Sequence, residues 1–320
     1  MPTASPTTTS ARRAIVAVLA AAVLFGTAGT ARELGPDGAS SLSVGAARIL
    51  VGTVVLWMAV LVERARGVAP VEVRGGGSLR LLSILLGGAG VAAYTPLFFV
   101  AVERVGVALG TVVTIASGPF FAGAIEATAW RRPPSRAWLL GTGITAVGAA
   151  MLVASGGGTG GGVDAVGLAA ALGAGLGYAV YSVTAKVSID HGLSSTLALA
   201  APFTVGGAVV IALGSSQSFD WLTTRGGAAM ALYLGVFATG FAYILFGRGL
   251  RRLSPSTTVT LVLAEPITAA LLAVVVLDER IEPAGWAGIA TVLVGLWLVG
   301  RDVRRGEPTV AAPESDWCGR

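Results

Sequence analysis

The chain holds one cysteine, one histidine and one lysine in 320 residues, and only 12% of its side chains are charged. Each scarcity excludes something. A single Cys318 rules out an internal disulfide and cysteine-based metal chemistry. The lone His191 falls in a short loop between apolar runs, where a solvated ring is the ordinary outcome. Membrane-embedded enzymes acting on lipids or polyprenyl carriers need clusters of His, Asp or Ser at one face, and one histidine with scattered acids supplies none. A soluble domain carries about twice this charge. The net charge of +5 rests on arginines at the ends of apolar runs, so it reads as membrane topology and not as a nucleic-acid footprint. No Gly-Lys-Ser/Thr phosphate loop is present, which disfavours an ATP-driven pump.

What is abundant is apolar surface: 54% hydrophobic residues and a mean hydropathy of +0.79. About 20 apolar residues cross a bilayer core. Ten runs qualify, at 14–31, 42–62, 80–101, 107–128, 137–154, 165–186, 195–213, 227–247, 256–277 and 284–300. The first could be the core of a signal peptide, but nine more follow, so a retained span is expected. Loop charges test the count. With the N-terminus inside, 17 basic residues fall in cytoplasmic segments and 4 (Arg32, Arg104, Arg225, Arg280) outside, with Arg48 left within a span. The positive-inside rule thus predicts a multi-pass protein of the cell membrane with both termini cytoplasmic.

The chain is also duplicated. The linker SGGGTGGG falls near the middle, with five runs on each side. Sliding the halves by 147 lays Pro119 on Pro266, Gly141 on Gly288 and Gly148 on Gly295. Five is odd, so the two copies enter the membrane from opposite sides. The predicted fold is an all-α integral membrane protein of ten helices in two inverted five-helix repeats. Its parts are a cytoplasmic tail 1–13, a first repeat 14–154, a linker 155–164, a second repeat 165–301 and a cytoplasmic tail 302–320.

Charges inside spans are costly and mark functional sites by default. Glu265 sits in span 9 and Arg48 in the outer half of span 2. The carboxylate could bind a substrate amine, carry a coupling proton, or be tied to an Arg or Tyr as a structural group. Arg48 could pair with it or anchor a substrate carboxylate. Lys186 and Glu126 lie at inner span ends, where snorkelling to the interface is the expected reading. Aromatics with polar tips (Tyr94, Tyr178, Tyr181, Tyr243 and Trp57) are candidates for a cavity wall. Tyr178 and Tyr181 are spaced to share part of one helix face. Pro119 and Pro266, related by the repeat, are expected to make paired kinks or hinges facing a central cavity. Small residues such as Gly173, Gly177, Gly141, Gly148, Gly288 and Gly295 read as helix packing.

The stretch AEPITAALLAVVVLDER followed by GWAGIATVLVGLWLV resembles the drug/metabolite transporter superfamily, EamA-type. Glu265-Pro266, the Leu277-Asp278-Glu279 turn, the glycines of the last span and Arg48 in AARILVGTVVL stand where that family has matching residues. The first half departs from the pattern: Trp130-Arg131-Arg132 follow span 4 where the family often has a Glu. The resemblance implies secondary transport of small metabolites, amino-acid-like or related, frequently outward, by alternating access around a central cavity. It implies no cofactor, proton coupling aside, and leaves a lipid or polyprenyl-carrier flippase as the alternative. Its partners would be the small-molecule substrate and the lipid bilayer, with oligomeric state left open.

Overall fold

A computed structural model describes residues 8–67, 77–131, 133–155, 164–278 and 280–304. The glycine linker's residues 156–163, Glu279 of the turn after span 9 and the tail beyond 304 lie outside the described residues. Ten helices long and apolar enough to cross a membrane account for nearly all of it. We label them α1 (Thr8–Glu33), α2 (Ser41–Ala65), α3 (Gly77–Val105), α4 (Val107–Ala129), α5 (Arg136–Ser155), α6 (Ala165–Asp190), α7 (Ser195–Gly214), α8 (Arg225–Leu250), α9 (Pro255–Leu277) and α10 (Pro283–Arg304). Most outrun the apolar runs that define them; α1 begins at Thr8 and α10 reaches Arg304. Once the backbone is hydrogen-bonded, a helix need not stop where the hydrocarbon does, and its polar last turns sit in the interface.

Polar residues set where the helices begin. The side chains of Ser40, Ser194, Thr224 and Ser254 each accept a hydrogen bond from a backbone N–H in the first turn that follows, and Asp164 does so twice. Between α3 and α4 there is a single residue, Gly106, at φ 85°, a conformation glycine adopts without a Cβ clash.

Helices such as α2, α4, α5 and α7 have no strongly polar face, so hydropathy alone does not say which face turns inward. On α2 the exposed face carries Leu50, Val54, Met58 and Leu61, while Gly45, Ile49, Gly52, Leu56 and Val60 are buried. Small residues let backbones approach closely in lipid. The tightest seam joins α5 to α10. A Cβ added to Gly148 would lie 2.5 Å from the Val292 nitrogen, and one on Gly288 would lie 2.8 Å from the Gly148 carbonyl. Gly177 packs the same way on Gly90 between α6 and α3.

The helix pairings obey a two-fold relation between the halves. Helices α2 and α7, and α5 and α10, pair with their own counterparts. Contacts of α3 with α6 are mirrored by α8 with α1, those of α4 with α6 by α9 with α1, and those of α3 with α7 by α8 with α2. The relation also exposes where the halves differ. Gly206 of α7 rests on Gly88 and Val91 of α3; its counterpart Gly52 of α2 rests on Gly235 and Thr239 of α8. The first pair of contacts is three residues apart and the second is four. The extra residue between the α8 contacts is accommodated in a π-helical stretch, Val236–Phe241. The Thr239 hydroxyl donates to the Leu234 carbonyl at 2.8 Å, satisfying a group left over in the widened turn.

The prolines depart from expectation in the same asymmetric way. Helix α4 runs unbroken through Pro119, whereas α9 is interrupted at Leu263 and Ala264, between the halves Pro255–Val262 and Glu265–Leu277. Tight i→i−3 bonds carry the chain across: Leu263 N–H to Thr260 O, Ala264 N–H to Leu261 O and Ile267 N–H to Ala264 O. Each proline lacks the N–H that would bond the carbonyl four residues back. Only in α9 does the ladder give way.

Candidate functional site

A cavity of about 370 Å³ lies among α1, α2, α3, α4, α6, α7, α8 and α9. Its depth follows from which part of each helix reaches it. On α2 it is lined by residues from Ser41 to Ile49, while Leu56 and Val60 farther along are fully buried in the main core. On α1 it runs from Phe25 to Arg32, while Ala14 and Val18 are core; on α8 it takes Leu234, Thr239 and Tyr243, while Phe246 and Leu250 are core. The cavity therefore opens toward the end of the bundle carrying the Glu33–Ser41 connection. A plug of Leu56, Phe246, Leu250, Leu253 and Leu199 closes it from the opposite end. We call these the mouth end and the closed end.

Six of the residues expected on such a wall are there: Arg48, Tyr94, Tyr178, Tyr181, Tyr243 and Glu265. Glu265 arrives as the first residue of the second half of α9, immediately after the break, so the interruption fixes where its carboxylate enters the cavity. Arg48 comes in from α2, one turn before Gly52 anchors that helix to α8. The two charges are near enough to act on each other electrostatically. They form no ion pair within 4 Å, and among the described residues neither makes a hydrogen bond. An ionised group without a partner in low dielectric is expensive, and both groups are left facing open volume.

The tyrosines form a connected aromatic wall. The hydroxyls of Tyr181 and Tyr243 are hydrogen-bonded at 2.9 Å. Tyr178 meets Tyr181 with ring centroids 5.2 Å apart and Tyr94 edge-on at 6.2 Å, while Tyr243 sits edge-on to Phe203 at 4.4 Å and to Phe25 at 5.0 Å. Edge-to-face pairs in this range hold rings in place and leave π faces available to a cation.

Other expectations need correction. Trp57 is not on the cavity wall. It lies two turns beyond Ile49 on α2, toward the closed end, and its indole N–H donates to Thr204 Oγ1 of α7 at 2.9 Å. Neither Pro119 nor Pro266 lines the cavity, although the residues four before them, Ile115 and Val262, both do. The paired cavity-facing hinges reduce to one break with the proline beside it. Lys186 does not snorkel: it is buried and pairs with Asp190 at 2.9 Å, one turn on. Glu126 does not snorkel either. Its carboxylate accepts from the backbone N–H and, at 3.0 Å, from the hydroxyl of Ser256 at the start of α9.

Residues that the sequence reading missed include Phe25, Thr239 and Arg32, which all line the cavity. An offset of 153 lays Phe25 on Tyr178 and one of 154 lays Gly52 on Gly206, so a second repeat offset for the first helices carries the signal. Arg32, near the mouth, is tied to the Ala39 carbonyl. Outside the spans, Asp164 bonds Arg104 at 3.1 Å, and this bond with those from the Val166 and Gly167 amides holds its carboxyl below the usual range. Among the described residues no group of three His, Cys, Asp or Glu could hold a metal ion.

The model of the EamA-like transporter family matches twice, over residues 12–154 and 165–301. An uncharacterized transporter of Bacillus subtilis (strain 168), YwfM, is 33% identical over 295 residues, which cover 92% of this chain and 96% of that protein. A putative permease-like protein of the same organism, YdzE, is 32% identical over 68 residues, 21% of this chain and 87% of that one. A solved crystal structure superposes with a TM-score of 0.73 at 19% identity, over 91% of this chain and 98% of the other, a likeness of fold.

Proposed function

The chain belongs to the EamA-like transporter family, a membrane transporter and not an enzyme, and from that premise we propose that it carries a small amphipathic metabolite bearing both an amine and a carboxylate. The reading is carried by one observation: Arg48 and Glu265 share a single aromatic-walled cavity without pairing. A guanidinium recognises a carboxylate through two parallel bonds, and a carboxylate beside tyrosine faces suits an ammonium. A volume near 370 Å³ is at the small end of ligand pockets, which favours amino-acid-like compounds over bulky drugs or lipids.

The mechanism is alternating access between two inverted halves, with net movement outward across the cell membrane. Loop charges support a cytoplasmic position for both termini, and on that reading the mouth faces outside and the closed end faces in. Burial disfavours the charged form of a carboxylate, so Glu265 is the group that would exchange a coupling proton with the substrate amine.

The test is uptake into proteoliposomes of a pooled radiolabelled metabolite set, with and without a pH gradient, beside Glu265→Gln. Gradient-sensitive uptake lost in the variant is the expected result and identifies the substrate class. Unchanged rate and pH dependence in Glu265→Gln would remove the carboxylate from the mechanism.

A further inference from the structure

Glu126 lies outside the cavity and yet makes a charge-assisted double contact between the two halves. Its carboxylate, on the last turns of α4, receives both the backbone N–H and the hydroxyl of Ser256. Ser256 is in the first turn of α9, where unsatisfied N–H groups and the helix dipole favour a negative charge. Helices α4 and α9 are counterparts under the two-fold relation, and they flank the cavity through Ile115 and Val259, Val262 and Glu265. They meet chiefly through α9's first half; the second half packs chiefly on α1 and α5. The tie is thus at the closed end, on the far side of the break at Leu263 and Ala264 from the mouth.

The repeat shows that the other end has no such tie. An offset of 147 lays Glu126 on Ala273 and Ser256 on Leu109, residues that offer neither charge nor hydroxyl. Two inverted halves with identical contacts would favour neither orientation. Here one orientation holds a charge-assisted double hydrogen bond and its mirror image replaces it with an alanine facing a leucine.

We propose that Glu126 is the latch of the closed end: its grip on the start of α9 holds the cavity open at the mouth, and its release lets α4 and α9 part at the opposite end. The resting orientation of the empty transporter is then set by this contact, and the broken α9 gives it a joint on which to act. Lys186 of α6 acts electrostatically on Glu126 and is itself paired with Asp190. The proposal rests on the alternating-access reading above.

Cys318 is the only native thiol, so a Cys318→Ser background with Thr95→Cys places one reporter on the cavity wall. A membrane-impermeant maleimide is applied separately to each face of oriented vesicles without substrate. In the parent, labelling is expected from the mouth face only. Glu126→Ala is expected to slow mouth-face labelling at least threefold and to open labelling from the other face. Glu126→Gln keeps an acceptor oxygen and gives an intermediate shift, which reads the latch even if the alanine variant fails to fold. Ser256→Ala keeps the backbone donor and shifts less than Glu126→Ala. A parent labelled from the mouth only, with both Glu126 variants unchanged, would overturn the latch alone. A parent labelled equally from both faces would overturn alternating access itself.

Discussion

The guanidinium of Arg48 and the carboxylate of Glu265 line one cavity and do not form an ion pair within 4 Å. Two opposite charges held apart in a low-dielectric site are arranged for a third party. A structural salt bridge and a binding site make opposite claims about what happens when either charge is removed. Breaking a buried pair strongly destabilises a protein, whereas removing an unpaired buried charge relieves a cost. We expect Glu265→Gln and Arg48→Gln to keep or raise the Tm of the detergent-solubilised protein. Each should weaken substrate affinity by about 10- to 100-fold, the equivalent of one hydrogen bond to a charged group at about 1.5–3 kcal/mol. A drop in Tm in either variant would return the residue to a structural role.

The Tyr181–Tyr243 hydroxyl contact links α6 to α8 across the cavity wall. Replacing either by Phe should cost about 1 kcal/mol of stability. The double variant should cost little more than one single, because the second change removes a bond already lost. A thermal double-mutant cycle measures this, and strict additivity would mean that the bond contributes nothing.

At the α5–α10 seam, Gly148→Ala puts a methyl group 2.5 Å from the Val292 nitrogen and 2.8 Å from the Gly288 carbonyl. Backbone cannot step aside as a flexible side chain can. The helices must separate, at a cost of about 1–3 kcal/mol. Gly143→Ala, on the same helix, meets nothing within 4 Å and should be neutral or stabilising by up to about 1 kcal/mol. Thermal unfolding of the two variants side by side is the check.

Asp164 titrates below the ordinary aspartate range because it bonds Arg104 and the amides that open α6. A depressed carboxyl contributes stability that is present above its unfolded value and lost as pH falls through its folded one. Arg104→Gln should move the Asp164 titration upward, toward the ordinary value, as followed by carboxyl NMR. Both side chains are well exposed, so the change in overall stability should be small.

Much of the molecule could be read without coordinates. The ten spans were legible because a bilayer demands a fixed length of apolar chain, and the charge asymmetry checked the count independently. Gly148 and Gly288 were legible as packing residues because nothing else explains glycine at helical spacing in lipid. Glu265, Arg48 and the four cavity tyrosines stood out because a polar group in a span is rare. Trp57 stood out on the same grounds, yet it faces Thr204 on α7. A residue's type says that it needs a partner; only the rotation of its helix says which one.

What the sequence determined, then, was the number of membrane crossings, the inverted duplication and the short set of polar residues able to act within it. These follow from the free energy of placing each segment in hydrocarbon, which is local and additive. What the tertiary structure decided was how the two halves differ. Pro119 and Pro266 are the same residue in the same repeat position, yet only α9 breaks beside its proline. Glu126 could have turned to water but instead closes on Ser256. Those outcomes depend on which helix lies opposite, a many-body packing relation that no local window of sequence contains.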